Sequence, residues 1–143
     1  MNAFQRLSRN LKTLNLPSLL TETLDDYQED IVTAIQEQLA EGKRGDGTNL
    51  PPYKESTKLL KRERGTIFMG DRIALIDTGD FWRSMFATAY DSMIEVDAKD
   101  WKRDMLVERY GEAIFQISHT QWEAIYEKAE TDYKQRVTKW LNQ

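Results

Sequence analysis

Asp77, Thr78 and Gly79 are the first place in the sequence where residue types and spacing could do chemistry. An apolar run, residues 73–76, precedes this triplet, as it does where an aspartic protease presents its catalytic carboxylate. Such an enzyme needs two carboxylates about 3 Å apart that share one proton. A chain of this length with one triplet could supply the second carboxylate only by pairing with another copy. A dimeric aspartic-type protease that uses Asp77 is therefore one hypothesis for function.

The residues that follow the triplet favour a structural explanation. Asp80 stands where such a protease has a small residue, and the bulky stretch "FWRSM" (81–85) is typical of a helix rather than a strand. The Thr78 hydroxyl could cap that helix, Gly79 relaxes the backbone, and Asp80 suits the positive end of the helix. We therefore expect the start of a helix here and no catalytic residue in the chain.

Composition excludes several kinds of site. The chain has 143 residues, enough for one domain with a modest core. It has no cysteine and a single histidine, His119, so disulfides, thiolate chemistry and a self-contained zinc site are excluded. The polar N-terminus and the lack of a long apolar run argue against a secretory signal or a membrane span. We expect a soluble protein of a reducing cytoplasm that carries no metal and no cofactor.

The net charge of −4 hides a strong segregation of charge along the chain. Residues 1–16 carry bases and no acid, residues 18–41 carry acids and no base, and residues 42–65 are again mainly basic. Such blocks are usually solvated faces of a domain. The alternative is that acidic and basic faces meet on neighbouring copies or partners, where complementary charge sets the register of binding.

Hydrophobic periodicity predicts an α+β fold in which a long N-terminal helix and a long C-terminal helix pack against a small, mainly antiparallel sheet. Ser18 or Thr21 could cap the first long helix and Gly42 would end it, while Ser118 could cap the last. The predicted helices are 18–41, 54–65, 99–111 and 118 onwards, and the predicted strands are 66–69, 73–77, 86–90, 93–97 and 113–117, with a hairpin turn at Asp91 and Ser92.

Residues 1–16 form a basic amphipathic arm, and residues 17–143 form the single domain, because Pro17 disfavours helix in the residue before it. The spacing of its apolar residues places them on one face of a short helix. Such an arm either docks on another molecule or packs back on its own domain, and the sequence leaves both open. The candidate interface residues of the arm are Phe4, Arg6, Leu7, Arg9, Leu11 and Lys12.

A second group of candidate contact residues is strongly basic. Four of its members, at positions 54, 58, 61 and 62, would share one face of the predicted helix 54–65, where they could meet nucleic-acid phosphates. The acidic net charge and the lack of interleaved aromatic residues favour a solvated or subunit-facing surface instead. The whole group is Lys43, Arg44, Lys54, Lys58, Lys61, Arg62 and Arg64.

The motifs between residues 42 and 117 also have a distinctive order. A glycine-rich loop (42–52) is followed by "LPPYKESTKLLKRERG", "LIDTGDFWRSM", a hairpin ending in "IEVDA" and finally "YGEAIFQIS". This order is similar to that of a family of tailed-phage virion proteins, the tail-completion and head–tail joining proteins related to phage virion morphogenesis factors. The matched positions are Pro52, Tyr53, Thr57, Lys61, Gly65, Leu75, Thr78, Gly79, Phe81 and Ser84, with a looser match at Tyr110 and Gly111.

The resemblance covers about half of the chain and implies a non-enzymatic role. In that family the Thr-Gly pair marks a strand-to-helix junction and not a catalytic site. The resemblance implies a ring of copies in the phage neck, between the portal-side connector and the tail, assembled in the cytoplasm of the bacterial host. It implies neck, portal-side or tail proteins as partners, and it would bring the basic segment close to DNA in the channel. The arm and the C-terminal helix lie outside the matched pattern.

Overall fold

A computed structural model describes residues 1–64, 72–76 and 79–143 of the protein. The fold class is α+β, as predicted. None of the described helices is long and apolar enough to span a membrane. The elements are α1 (Ala3–Thr13), α2 (Leu16–Asp25), α3 (Gln28–Ala40), α4 (Glu55–Arg64), α5 (Asp80–Arg83), β1 (Met85–Tyr90), β2 (Met93–Ala98), α6 (Arg103–Tyr110), a 3₁₀ turn (Glu112–Phe115) and α7 (His119–Leu141).

The predicted helix 18–41 consists of two helices, α2 and α3. Tyr27 separates them, because its backbone leaves the helical conformation (φ −106°, ψ 12°) and its hydroxyl donates a hydrogen bond to the Asp132 carboxylate of α7. The prediction of one continuous helix was therefore wrong. The apolar residues Ile31, Ile35 and Leu39, each four residues apart, are almost completely buried and form the core-facing side of α3.

The caps of the N-terminal helices also differ in part from the prediction. Helix α2 begins at Leu16, one residue before Pro17, and the side chain of Asn15 accepts a hydrogen bond from the Ser18 amide. Neither Ser18 nor Thr21 caps the helix. Proline is tolerated in the first turn of a helix because the amide it lacks has no partner there. Gly42 has φ +73° directly after α3, which confirms the predicted left-handed end.

The β-hairpin is confirmed in register and turn. Strands β1 and β2 are antiparallel, and six residue pairs run from Met85 opposite Ala98 to Tyr90 opposite Met93. Asp91 and Ser92 both have positive φ, at 49° and 62°. That is the geometry of a two-residue turn whose twist matches the strands it joins. In the described residues these two strands are the whole sheet.

Two of the other predicted strands are absent, and the third, 66–69, lies outside the described residues. Within 73–77, the backbone of Leu75 has φ +57°, which interrupts an extended run, and the predicted strand was wrong. Residues 113–117 were also wrongly predicted, since a 3₁₀ turn buries Ile114 and Phe115 side by side. Consecutive burial contradicts the alternation of a half-buried strand.

One core joins these elements. Its centre is formed by α3, the 3₁₀ turn and the loop residue Leu50, which is fully buried. The long helix α7 covers this core with Ala129, which is buried, and with Trp122 and Ile125, which are partly buried. Ser118 caps α7 by accepting a hydrogen bond from the Gln121 amide, as predicted.

Candidate interaction surfaces

Most of the residues that carry the phage-family resemblance line one cleft of about 850 Å³. They come from the loop before α4, from α4 itself, from residues 72–81 and from the end of α6. Ser84 and Gly111 lie outside its lining, and Gly65 and Thr78 lie outside the described residues. The lining residues from the matched set are Pro52, Tyr53, Thr57, Lys61, Leu75, Gly79, Phe81 and Tyr110.

Helix α5 forms one wall of the cleft. Gly79 precedes it with φ +92°, a conformation that favours glycine, and the buried Phe81 packs its ring 6.0 Å from that of Phe115. The Ser84 hydroxyl donates to the Phe81 carbonyl at 2.8 Å and accepts from the Asp100 amide at 3.0 Å. Ser84 therefore ends α5 and fixes the chain that leaves the hairpin. A helix is present as predicted, but it begins at Asp80 with Gly79, and not Thr78, as its N-cap residue. Thr78 lies outside the described residues, and Met85 belongs to β1 and not to the helix.

The opposite wall, residues 72–76, is held by side chains and by a short backbone contact with the loop before α4, where Arg72 forms an isolated β-bridge with Pro52 and the Ile73 amide donates to the Pro51 carbonyl at 2.9 Å. The indole of Trp82 donates to the Ala74 carbonyl at 3.0 Å, and the Lys61 ammonium donates to the Ile76 carbonyl at 2.9 Å. The ammonium of Lys61 also lies 5.2 Å from the centre of the Tyr53 ring. These contacts satisfy backbone carbonyls that a sheet would otherwise pair.

The predicted basic residues do not form one exposed face. Arg44 is hydrogen-bonded within its own chain, because its guanidinium donates to the carbonyls of Tyr110 and Asn49, each at 2.6 Å. Lys61 points into the cleft as described above, and the side chain of Lys58 is only 17% exposed. Three residues of the set, Lys43, Lys54 and Arg62, are exposed. The side chain of Arg64 lies outside the described part of the chain.

Aromatic residues that sequence reasoning missed lie beside the basic residues of the cleft. Trp101, which is 81% exposed, lines the cleft together with Tyr53 and Tyr110, and the Lys102 ammonium lies 5.7 Å from the Trp101 ring. Arg109 lines the same cleft. The sequence could not reveal this group, because about 50 residues separate Tyr53 from Trp101 and only the fold brings them together.

Helix α1 is attached to its own domain through polar contacts. The buried Asn10 amide donates to the carbonyls of Leu141 and Gln143, at 3.3 and 3.1 Å, and the Trp140 indole donates to the Asn10 carbonyl at 3.1 Å. The apolar face of the helix points elsewhere. The exposed residues of that face are Phe4, Leu7 and Leu11, which we call the α1 stripe.

The arm therefore combines features of both hypotheses left open by the sequence. It packs on its own domain through Asn10, yet the α1 stripe has no cover within the described chain, and Phe4 is 78% exposed. Its bases Arg6, Arg9 and Lys12 are all exposed. An amphipathic helix normally buries its apolar face.

Asp77, the candidate catalytic residue of the opening motif, lies outside the described residues, so the geometry does not test the protease hypothesis. Among residues 1–64, 72–76 and 79–143, no three His, Asp or Glu side chains are grouped so that they could hold a metal ion. No protein-family model, curated protein or solved structure matches the chain.

Proposed function

We propose that the chain is a structural, non-enzymatic virion protein of the neck of a tailed bacteriophage. In this role, copies form a ring that completes the connection between the portal side of the head and the tail. The ring is assembled in the host cytoplasm, and its partners are other neck, portal-side or tail proteins.

The observation that carries the proposal is the convergence of the matched residues on one cleft. Eight of the matched residues line the same cleft, and they come from three stretches of the sequence, 52–61, 75–81 and residue 110. The convergence supports the interpretation that these residues form one structural unit, as a family pattern would.

The α1 stripe supports assembly with other copies or partners. Its three apolar side chains are exposed in the single chain, next to each other on one helix face. Fully burying side chains of this size stabilises a complex by roughly 1.5–3 kcal/mol each before the cost of association. A contact that covers the α1 stripe is therefore favourable.

The test is the mass of the purified protein in solution, measured by light scattering over a concentration series, with electron microscopy of the largest species. We expect a closed ring whose mass is a multiple of the 16.8 kDa chain. A monomer at every concentration contradicts ring formation by the chain alone. A tight dimer with proteolytic activity that is lost in Asp77→Asn would favour the aspartic-type protease instead.

One observation favours a second function, the binding of single-stranded nucleic acid. The cleft combines exposed Trp101 with Lys54, Lys102 and Arg109, and stacking of a base on an aromatic ring contributes about 1–3 kcal/mol. This function predicts that an oligonucleotide quenches tryptophan fluorescence and that the affinity falls steeply with salt. It also predicts a weaker affinity in Trp101→Ala than in Trp140→Phe. Absence of binding at low salt would remove it.

A further inference from the structure

An apolar groove of about 880 Å³ lies between α2, the hairpin and α7. Leu20 and Leu24 form its α2 side, Met93 and Ile94 the hairpin side, and Tyr126 lies on the α7 side. Met93 is 55% exposed, and Tyr126 is similarly accessible. The groove is built from described residues alone, and it is separate from the cleft described above.

The groove and the α1 stripe are different surfaces of one chain. The stripe lies on a helix that Asn10 fixes against the last residues of α7, Leu141 and Gln143. The groove runs beside the first part of α7, from His119 to Tyr133, and no residue of α1 lines it. The α1 stripe in this position therefore leaves the groove of its own chain open.

The groove is about twice as long as the α1 stripe. The α1 stripe covers residues 4–11, which at 1.5 Å per residue is about 10 Å of helix. The part of α7 that lines the groove covers residues 119–133, or about 21 Å. The groove is thus long enough to receive the two turns of helix that carry the stripe.

The two surfaces are also complementary in charge. Lys12 lies beside the α1 stripe. Arg9 lies on the opposite face of the helix from Leu7 and Leu11, and its guanidinium donates to the Asn10 side chain. Within the described residues, the groove lining contains Glu130 and neither lysine nor arginine, and Glu130 pairs with Lys134 of α7 at 2.9 Å. Glu123 and Glu127 are exposed on α7, four residues apart, and form the glutamate row beside the groove; the Glu123 carboxylate lies 2.9 Å from His119.

We propose that the groove receives the α1 stripe of a second copy of this chain, with Lys12 of α1 facing the glutamate row of α7. Because a different surface is used on each copy, the contact is head-to-tail, and repeated contacts close into a ring when the rotation between copies permits. This inference rests on the proposed ring and names the surface through which its subunits meet.

Cysteine cross-linking tests the contact, because the chain has no cysteine of its own. One variant carries Leu7→Cys in the α1 stripe and another carries Tyr126→Cys in the groove. The two variants are mixed as full-length proteins under mild oxidation. The linked pairs are identified by the masses of their disulfide-linked peptides after digestion. We expect the 7–126 pair to form at least about tenfold faster than a control pair of Leu7→Cys with Leu59→Cys, since proximity raises the effective concentration of the thiols.

Leu59 is a suitable control position because its side chain is exposed on α4, away from the groove. A dominant 7–7 pair would overturn the proposal, since it would mean that two α1 stripes pack on each other. Equal rates for the 7–126 and 7–59 pairs would overturn it as well. Unchanged thermal unfolding of the three variants verifies that each has kept its fold.

Charge reversal gives a second readout. The change Lys12→Glu in the Leu7→Cys variant should lower the rate of the 7–126 link about threefold, as expected for one reversed rim charge. Adding Glu123→Lys and Glu127→Lys to the Tyr126→Cys variant should restore it. If the rate of the 7–126 link responds to neither the substitution in α1 nor those in α7, the proposed orientation is contradicted.

These results separate the contact from the proposed function. Rings in the mass measurement without a fast 7–126 link would overturn the contact and leave the ring standing. A fast 7–126 link in open filaments would support the contact and contradict closure. A monomer that forms no link would overturn both.

Discussion

Asn10 shows how a single polar residue determines the placement of a whole helix. The apolar spacing of the first helix correctly predicted one face with Phe4, Leu7 and Leu11, but it suggested that this face makes the contact. In the structure the contact is made through Asn10, whose amide bonds two carbonyls at the end of α7. Pattern reasoning could not find this, because the partner carbonyls are about 130 residues away and asparagine is usually exposed.

Replacing Asn10 by alanine should release α1 from α7. The change leaves two carbonyls without their donor, which costs about 1–2 kcal/mol. We expect this cost to appear as local opening of α1, with faster hydrogen exchange of the α1 amides and a changed environment of Trp140. Arg6→Ala, at an exposed position of the same helix, is the control. Equal exchange in the two variants would show that the Asn10 contacts do not hold the helix.

Tyr27 is the residue whose ionisation the fold changes most clearly. Its hydroxyl donates to the Asp132 carboxylate, and this bond, together with burial, raises its pKa from 10.0 to about 12. A raised pKa means that the fold favours the neutral phenol. The stabilisation is therefore complete below pH 10 and is lost as the pH rises from 10 towards 12.

The variant Tyr27→Phe should expose this dependence. At neutral pH we expect it to lose about 1.5–3 kcal/mol of the free energy of unfolding, because the bond is to a charged group. The difference from the unchanged protein should shrink as the pH rises from 10 to 12, measured by urea unfolding. Tyr126→Phe, at an exposed position, is the control for the removal of a tyrosine hydroxyl. A difference that stays constant up to pH 12 would contradict the role of Asp132.

The loop that connects α3 to α4 is packed against the 3₁₀ turn before α7. The Gly45 amide donates to the Ala113 carbonyl at 3.0 Å, and a Cβ added at Gly45 would lie 2.0 Å from the Gln116 carbonyl oxygen. Gln38 ties α3 to the same segment, because its side chain bonds both Gln116 and Ser118. The glycine-rich composition predicted a loop, and the structure explains why one glycine must be there.

Gly45→Ala should destabilise the protein more than Gly47→Ala does. At Gly45 the added methyl group meets backbone that cannot move cheaply, at a cost of about 1–3 kcal/mol or more. At Gly47 nothing lies within 4 Å, and only the backbone conformation, φ +86°, opposes alanine, at about 1 kcal/mol. Urea unfolding midpoints of the two variants measure the difference. Equal losses would mean that the loop does not pack on Gln116 in solution.

The elements that the sequence predicted are those whose signal is local. The hairpin follows from alternation and two turn residues, and α7 follows from its cap and its stripe. The two missed strands depend on distant partners. Residues 72–76 are fixed by Trp82, Lys61 and the loop before α4, and the 3₁₀ turn by the Gly45 contact. The cleft could be anticipated only as an ordered set of motifs, since its shape arises from packing.

The charges that are segregated along the sequence also lie on separate parts of the folded protein. The basic helix α1 sits at one end of α7, while glutamates line the exposed side of the other end. Arg136 of α7 pairs with Asp26, which directly follows α2, so part of the acidity of residues 18–41 is used within the fold. Two surfaces remain on separate parts of the molecule: an apolar helix face beside Lys12 and an apolar groove beside Glu123 and Glu127. Complementary surfaces of this kind steer association and fix its register.

A change in the α1 stripe should therefore affect assembly and not folding. Leu11 is exposed in the single chain, so Leu11→Asp removes no packing within the fold, and we expect its free energy of unfolding to stay within about 0.5 kcal/mol. Assembly should fail, because the aspartate would place a charge in an apolar groove next to a row of glutamates. Light scattering measures the assembly state and urea unfolding measures the stability of the same samples. Leu59→Asp, at an equally exposed leucine of α4, should assemble normally; equal behaviour of the two variants would show that exposure of apolar residues in general, and not the α1 stripe, drives association.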